Sequence, residues 1–223
     1  MICVILIRIL LFVLYGGRGK VIFRSNPVFE YGIFGYTLYE PSIARLVMQI
    51  HGDLAVDVGA SLGQYTVKLA SRFNRVIAVE PNPVSARILK DRVRRLRLDN
   101  VQVVETAVAS HVGIAELHLN PENPYGGASI VGQGRNRILV PLTSLDALLR
   151  EEAEVDFVKV DTEGAEWMIL SGAQQSIRKI KRWMIELHDT SRKEDLELLV
   201  RSYGYATRWV EDEGPLLHVL AYR

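Results

Sequence analysis

Residues 54–66 read LAVDVGASLGQYT, and this stretch decides the fold. A short apolar run leads into Asp57 and Gly59, and apolar residues then recur at helical spacing. The order predicts a strand, a glycine turn and a helix, whose first amides are free to bind a nucleotide. Gly59 permits the tight turn and lets a ligand approach the backbone. Twenty-one positions after Gly59, Glu80 ends the next predicted strand, where an acid can accept both hydroxyls of a ribose.

The spacing of the glycines indicates which nucleotide fits. A dinucleotide turn reads G-x-G-x-x-G, whereas three residues separate Gly59 from Gly63 here. Asp57 precedes the first glycine by two positions, where its charge disfavours a pyrophosphate and attracts a cation such as the ammonium group of S-adenosylmethionine. Two alternatives stay open: an NAD-dependent oxidoreductase, which also uses a glycine turn and a ribose acid, and a strand–helix turn without a ligand.

The composition is that of one globular domain. The chain has 223 residues, of which 48% are hydrophobic, enough for a three-layer core. The net charge of +1 argues against field-driven binding of nucleic acid. Cys3 is the sole cysteine in the sequence, so neither an intrachain disulfide nor a cysteine-based zinc site can form. These features favour a reducing compartment, and we expect a cytoplasmic protein.

Residues 2–15 differ from the rest because they are apolar apart from Arg8. The run is shorter than the ~20 apolar residues that span a bilayer, and its charges lack the order of a signal peptide. Three interpretations stay open: a membrane-touching anchor, an element packed on this or a partner chain, and a mis-assigned start. We favour the packed element. The predicted division is an apolar segment of unassigned role over residues 1–28 and one domain over residues 29–223.

A second polar cluster follows the strand predicted just before Asp161. It comprises Asp161, Glu163 and Glu166, and carboxylates so close together repel one another. Glu186 and His188 follow the next strand and, being two positions apart, face the same side. Ligands of open parallel sheets collect at the carboxyl ends of the strands. The cluster is therefore predicted to line an active site.

The order of elements predicts the architecture. Strands and helices alternate up to residue 203, which indicates a parallel sheet with helices on both faces. The final two strands, 205–210 and 216–222, break the alternation and are expected to pair antiparallel. The loop 120–134, rich in Gly, Asn and Pro, is expected to border the active site.

Taken together, the motifs resemble the FkbM-like family of S-adenosylmethionine-dependent O-methyltransferases. The matching stretches are Tyr39-Glu40-Pro41, Val56-Asp57-Val58-Gly59-Ala60 with Gly63 and Tyr65, Val79-Glu80-Pro81, Leu145-Asp146, Val158-Lys159-Val160-Asp161, Glu163-Gly164-Ala165-Glu166, Leu170, Gly172-Ala173, and Ile185-Glu186 with His188. One departure is Ser61, where the family usually has Asn. The resemblance implies an α/β, Rossmann-like class I methyltransferase fold: a mostly parallel seven-stranded sheet with helices on both faces and a C-terminal antiparallel strand pair.

The resemblance also implies transfer of a methyl group from S-adenosyl-L-methionine to a hydroxyl of a small-molecule or carbohydrate acceptor. The cofactor-binding residues expected from it are Glu40, Asp57, Gly59, Ser61, Gly63, Glu80, Thr106, Ala107 and Asp161. The candidate catalytic residues are His188, Asp161 and Glu163. His188 is the first choice of base because imidazole titrates near neutrality, with Glu186 or Asp189 to orient it. Asp161 and Glu163 could instead hold a divalent cation, but we assign no metal ligand.

We expect no nucleic-acid substrate. The Asn-Pro-Pro-aromatic motif used on amino groups of bases is absent after Val160, and the basic helix predicted over 84–98 lacks interleaved aromatic residues. A non-catalytic cofactor-binding subunit is a further alternative. Membrane contact through residues 2–15 stays open, and the sequence assigns no oligomeric state.

Overall fold

Seven strands form one mostly parallel sheet in the computed structural model, which describes residues 40–123, 125–211 and 216–223. These strands are β1 Gly52–Val58, β2 Phe73–Val79, β3 Val101–Val104, β7 Phe157–Val160, β8 Arg182–Leu187, β9 Ala206–Glu211 and β10 Leu217–Tyr222. Their order is β3-β2-β1-β7-β8-β10-β9. Strand β10 runs antiparallel to β8 and β9, and the other neighbours pair parallel. The predicted fold class is confirmed.

Helices cover both faces of this sheet. They are α1 Pro41–Val47, α2 Gln64–Ala70, α3 Pro83–Leu96, α4 Leu145–Leu148, α5 Glu166–Ser171 and α6 Lys193–Ser202, with short 3-10 turns at Ser176–Arg178 and Thr190–Arg192. Helix α3 begins where the Asn82 side chain accepts a hydrogen bond from the Val84 amide at 3.0 Å. It ends at Arg97, whose φ of 53° is left-handed.

Strand alternation divides the core into two layers. On one face, Ala55, Phe157 and Met184 pack against apolar residues of α1 and α2. On the other face, a larger cluster that includes Val158 and Trp183 packs against α4, α5 and α6. Because each buried strand points alternate side chains to opposite faces, both layers are filled from the same strands.

A second, three-stranded sheet follows β3. Its strands are β4 Ala107–Ala109, β5 Gly113–His118 and β6 Arg137–Ser144, in the order β4-β6-β5. The sequence indicates a strand near β5 but gives no sign of its partner, because β6 comes only after the loop 120–134. This small sheet has its own apolar core, formed by Ala109, Leu117 and Val140 among others.

The predicted localisation is corrected by one finding. Among the residues that the structure describes, no helix has both the length and the apolar content needed to cross a membrane. The proposed membrane association is therefore not retained. Residues 2–15, on which it depended, lie outside the described residues, as does the predicted boundary between residues 28 and 29.

Candidate active site

The glycine turn after β1 is built from left-handed backbone. Gly59 has a φ of 82° and Gly63 a φ of 88°. The amides of Gly59 and Ala60 both donate to the Val79 carbonyl at 3.0 Å, which fixes the turn to the end of β2. A Cβ on Gly63 would come within 2.5 Å of Cδ1 of Leu89, and one on Gly59 would overlap the carbonyl oxygen of Asp161. Only glycine adopts the left-handed conformation without strain and also leaves out the Cβ for which these positions have no room.

Glu80 lies directly against this turn. Its two carboxylate oxygens accept hydrogen bonds from the Ser61 amide at 2.7 Å and the Asn82 amide at 2.8 Å. The residue is only 6% exposed, and burial raises its pKa to about 7. Each oxygen keeps a second lone pair, so ribose hydroxyls donating to Glu80 would favour its charged form.

Ser61 adopts a strained backbone conformation in the same turn. Its φ is 49°, a left-handed value that costs most residues roughly 1–2 kcal/mol. The usual family residue at this position, Asn, visits this region more readily than Ser does. The Ser61 hydroxyl donates a hydrogen bond to the Tyr125 carbonyl at 3.1 Å, so this side chain connects the glycine turn to the loop 120–134.

Asp57 lies beneath the turn, paired in register with Lys159 across β1 and β7. The Thr66 hydroxyl donates to Asp57 at 2.6 Å, and Lys159 Nζ donates to Asp161 at 2.8 Å. Asp57 and Lys159 are each 1% exposed. Burial raises the pKa of Asp57, while for Asp161 the nearby Lys159 ammonium outweighs burial and lowers the pKa. Lys159 was not singled out from the sequence because it sits within an apolar strand.

His188 is held between two carboxylates. Its Nδ1 lies 2.9 Å from Oε1 of buried Glu166, and its Nε2 lies 3.3 Å from Oε2 of the more exposed Glu163. Burial alone would lower the pKa of His188, but these carboxylates raise it to about 10. The sequence suggests Glu186 or Asp189 to orient the ring; its direct contacts are with Glu163 and Glu166, and Glu186 acts on it through its charge. Asp189 instead accepts hydrogen bonds from Ser191.

The loop 120–134 connects the glycine turn to the acidic rim, which we define as Asp161, Glu163 and Glu166. The Tyr125 carbonyl accepts from the Ser61 hydroxyl, and the Ser129 hydroxyl donates to the Glu163 carbonyl at 2.7 Å. The loop therefore borders the site, as its composition predicts.

Thr106 and Ala107 lie where the large sheet meets the small one. The Thr106 hydroxyl donates to the Pro141 carbonyl at 2.9 Å, and Ala107 pairs with Leu142 of β6. Both are nearly buried. Since the hydroxyl is already engaged, only the backbone of these two residues is left to contact an adenine, and that contact stays a prediction.

Glu40 precedes α1 and contacts Tyr65 and His218. Its Oε2 accepts from the Tyr65 hydroxyl at 2.6 Å, and its Oε1 lies 3.9 Å from Nε2 of His218. The structure therefore groups the predicted residues in two sets. The turn, Glu80 and the acidic rim meet at the carboxyl ends of β1, β2 and β7, while Glu40 joins His218, a residue that the sequence analysis did not single out.

The geometry suits the cofactor that the resemblance implies. The glycine turn has no room for side chains, so a ligand can approach its backbone closely. Glu80 is buried with a raised pKa, and hydroxyl groups that donate hydrogen bonds to it would stabilise its charged form. Gly59, Gly63 and Glu80 would hold the adenosyl moiety.

Comparisons with known proteins find similarity to methyltransferases. A ribosomal RNA small subunit methyltransferase A of Anaeromyxobacter dehalogenans (strain 2CP-C) is 29% identical over 179 residues, covering 65% of this chain and 63% of that protein. The crystal structure of methyltransferase FkbM from Methylobacillus flagellatus KT has a TM-score of 0.61 at 20% identity, covering 84% of this chain and 48% of that one. The chain thus spans less than two thirds of the length of either relative.

A third relative shows the fold with a ligand bound. The structure of M. capricolum TrmK in complex with S-adenosyl-homocysteine has a TM-score of 0.50 at 13% identity, covering 80% of this chain and 66% of that one. The family model described as the methyltransferase FkbM domain matches residues 57–207, which is more than half of the chain. That range contains the glycine turn, Glu80 and the acidic rim. The chain therefore belongs to the methyltransferase FkbM domain family.

Proposed function

We propose that this chain is an S-adenosylmethionine-dependent methyltransferase that transfers a methyl group to a hydroxyl oxygen of a small-molecule or glycan acceptor. The observation that carries the proposal is the acidic rim beside Gly59, which pairs with His188 and offers an exposed carboxylate to an acceptor. A hydroxyl is a weak nucleophile until its proton is taken, and a positioned base contributes typically 10²–10⁴-fold in rate. The rim supplies such a group where an acceptor would meet the cofactor.

The bound cofactor supplies an activated methyl group on a sulfonium. The protein therefore has to align the acceptor oxygen with that methyl group, since good alignment is worth several powers of ten in rate. Gly59, Gly63 and Glu80 would fix the adenosyl end. The loop 120–134, tied by Ser129 to the Glu163 backbone, would limit the space for the acceptor.

The geometry supports different roles for His188 and Glu163. Both ring nitrogens of His188 face carboxylates, so the ring carries two protons and has no lone pair for a third. The Glu163 side chain is 44% exposed, whereas that of Glu166 is 2% exposed. We therefore propose that Glu163 takes the acceptor proton and that His188, fixed by Glu166, positions the Glu163 carboxylate. This changes the role that the sequence suggests for His188. Asp161 is ion-paired with buried Lys159, and its side chain is 19% exposed, so it is less accessible to an acceptor than Glu163.

A ribosomal RNA substrate is the second candidate, favoured by the relative from A. dehalogenans. Helix α3 adds exposed basic residues that would suit phosphates. Two of its cations are already paired, however: Lys90 with Glu105 and Arg94 with Asp91. The strand before the rim also leads into Asp161-Thr162-Glu163-Gly164 and not into a motif for amino groups of bases.

The test is a methyl-transfer assay with labelled cofactor. The acceptors are a panel of sugars, hydroxylated small molecules and small-subunit ribosomal RNA. The proposal expects label in a sugar or small-molecule hydroxyl, with Glu163→Gln reducing turnover about 10²-fold or more. Label in RNA alone would support the second candidate. Cofactor binding without product on every acceptor would favour a non-catalytic subunit.

A further inference from the structure

A row of buried polar side chains runs across the sheet on the face that packs against α1 and α2. The adjacent strands β1, β7, β8 and β10 each contribute one residue: Asp57, Lys159, Glu186 and His218. Asp57 and Lys159 face each other in register and have the partners described above. Glu186 and His218 also face each other in register, on β8 and β10. Unlike the first pair, this second pair has atoms without a hydrogen-bond partner among the described residues.

Glu186 and His218 are buried without hydrogen-bond partners at key atoms. His218 is 2% exposed, and neither of its ring nitrogens has a hydrogen-bond partner within the described part of the chain. Glu186 is 4% exposed, and its Oε2 has none there either. An unsatisfied buried polar group costs about 1–3 kcal/mol. Nε2 of His218 and Oε2 of Glu186 lie 3.4 Å apart, close enough for an ion pair but without the geometry of a hydrogen bond. The described residues therefore leave these two atoms, and Nδ1 of His218, without a directed hydrogen-bond partner.

We propose that Glu40, Glu186 and His218 form a binding site for a first-row divalent metal ion such as Zn²⁺. Nε2 of His218 lies 3.4 Å from Oε2 of Glu186 and 3.9 Å from Oε1 of Glu40. The three ligand atoms all lie within 4.8 Å of one another. Two ligands at the usual metal distances of about 2.0–2.2 Å are roughly 3.4 Å apart in a tetrahedral site. The distances between these ligand atoms would therefore have to shorten only slightly for all three to coordinate one ion.

A second group shares Glu186 but fits a metal less well. Asp161, Glu186 and His188 also lie within 4.8 Å of one another. There, however, His188 is engaged by Glu163 and Glu166 at its two nitrogens, and Asp161 is ion-paired with Lys159. A metal would have to displace those partners. At His218 it would replace the 3.4 Å contact with Glu186, and His218 would lose no hydrogen bond to a residue that the structure describes.

The surrounding charges favour a cation. The charged and titratable groups that act on Glu186 come from three neighbouring segments. They are His218 on β10, Lys159 and Asp161 at the end of β7, and Glu40 before α1. Carboxyl groups therefore outweigh the positive charge of Lys159 here, and a dication would relieve their repulsion.

The backbone at Glu40 supports the assignment. Glu40 has a φ of 45°, a left-handed conformation that is uncommon for a residue with a side chain. Strain of this kind is concentrated at functional sites. Its side chain is fixed by the Tyr65 hydroxyl at Oε2, which leaves Oε1 directed toward His218.

The ligand set limits the choice of metal. One imidazole and two carboxylates suit Zn²⁺, Mn²⁺ or Co²⁺, whereas Mg²⁺ prefers oxygen ligands and water. The Irving–Williams order makes Mn²⁺ a weaker binder than Co²⁺, and imidazole and carboxylate ligands in a four-coordinate site are typical of Zn²⁺. Co²⁺ is the useful probe because its visible absorption reports its coordination.

The experiment measures metal binding by the full chain, without cofactor or acceptor. The protein is stripped with a chelator and titrated with Zn²⁺ by calorimetry and with Co²⁺ by visible absorption. We expect one ion per chain, and a loss of affinity of about 100-fold or more in Glu186→Gln and in His218→Gln, since even outer-shell changes cost 10–100-fold. His188→Gln should leave the affinity within a fewfold, and His111→Ala, at an exposed histidine, should not change it.

Several outcomes would overturn the proposal. They are substoichiometric binding, equal binding by the wild type and both ligand variants, and loss of binding in His188→Gln with retention in His218→Gln. Circular dichroism of each variant checks folding. If His218→Gln does not fold, Glu40→Gln, at the partly exposed ligand, provides the same test. Because no methyl transfer is measured, failure here is distinct from failure of the proposed function.

Discussion

The carbonyl oxygen of Asp161 occupies the space that a side chain on Gly59 would need. The Asp161 amide also donates to the Val58 carbonyl at 3.0 Å, so the ends of β1 and β7 are joined at this point. The glycine turn and the acidic rim are therefore one rigid unit. They lie this close together because Gly59 has no Cβ atom, which leaves room for the Asp161 carbonyl. A cofactor bound at the turn would therefore lie at a fixed distance from the acidic rim.

Replacing Gly59 by Ala should disrupt this unit. We expect Gly59→Ala to lose cofactor binding and to lower the free energy of unfolding by more than the ~1–2 kcal/mol of a left-handed alanine, because the backbone of Asp161 must also move. Gly204→Ala is the matched control, since Gly204 has a φ of 87° but nothing within 4 Å of its added Cβ. Urea unfolding and calorimetry with the cofactor measure both effects. Equal destabilisation of the two variants would contradict the steric argument.

Glu80 should make both stability and cofactor binding depend on pH. Its folded pKa of about 7 lies above the ordinary 4.5, so the folded chain binds more protons between these values. The stability that this group contributes is complete below about pH 4.5 and is lost as the pH rises through 7. Cofactor affinity should change in the opposite sense, tightening by up to about tenfold per pH unit in the same window, because ribose hydroxyls donate to the ionised form.

Calorimetry and urea unfolding between pH 5 and 8 measure these slopes. Glu80→Gln cannot ionise, so both slopes should flatten in that variant even though its affinity is weaker throughout. A wild-type affinity that is constant over the range would show that Glu80 does not change its charge when the cofactor binds.

Arg97 offers a stabilising substitution at the end of α3. It holds a left-handed φ of 53° while its side chain is exposed, and glycine adopts this conformation without strain. We expect Arg97→Gly to raise the free energy of unfolding by about 1 kcal/mol. The same change two residues earlier, Arg95→Gly, lies inside the helix and should lower it by about 1 kcal/mol. Thermal unfolding of the pair should therefore show shifts of opposite sign.

Thr66 should matter through its hydroxyl. It is fully buried and donates to Asp57 at 2.6 Å, so Thr66→Val removes a hydrogen bond to a buried carboxyl group at nearly constant volume. The expected cost is about 1.5–3 kcal/mol in urea unfolding. Thr66→Ser keeps the donor and is the control. If Thr66→Val were no worse than Thr66→Ser, the hydroxyl would not be what stabilises Asp57.

The sequence predicts the large sheet well because its signals are local. Buried strands read as apolar runs, and Gly59, Gly63 and Glu80 mark the turn through backbone and charge requirements that spacing alone reveals. The small sheet is harder, since β6 lies beyond a long loop from β5 and only the fold brings them together. Register between distant strands is not encoded in either strand by itself.

The same distinction explains the site. The acids at 161, 163 and 166 lie within six positions of the sequence and are found together on the rim. Lys159 and His218 were missed because each is a single polar residue inside an apolar strand, and their partners come from other strands. His188 was recognised as a candidate, but its charge state depends on Glu163 and Glu166, and their contact with the ring appears only in three dimensions.

The most direct test of the account is the chemical identity of the methylated atom. The protein is incubated with cofactor carrying a ¹³C-methyl group and with the acceptor panel, and the products are examined by carbon NMR, in which O-methyl and N-methyl carbons resonate in separate regions. The account predicts an O-methyl signal on a sugar or small-molecule acceptor that is strongly reduced in Glu163→Gln. An N-methyl signal on RNA, or no transferred methyl from a folded protein that binds the cofactor, would contradict it.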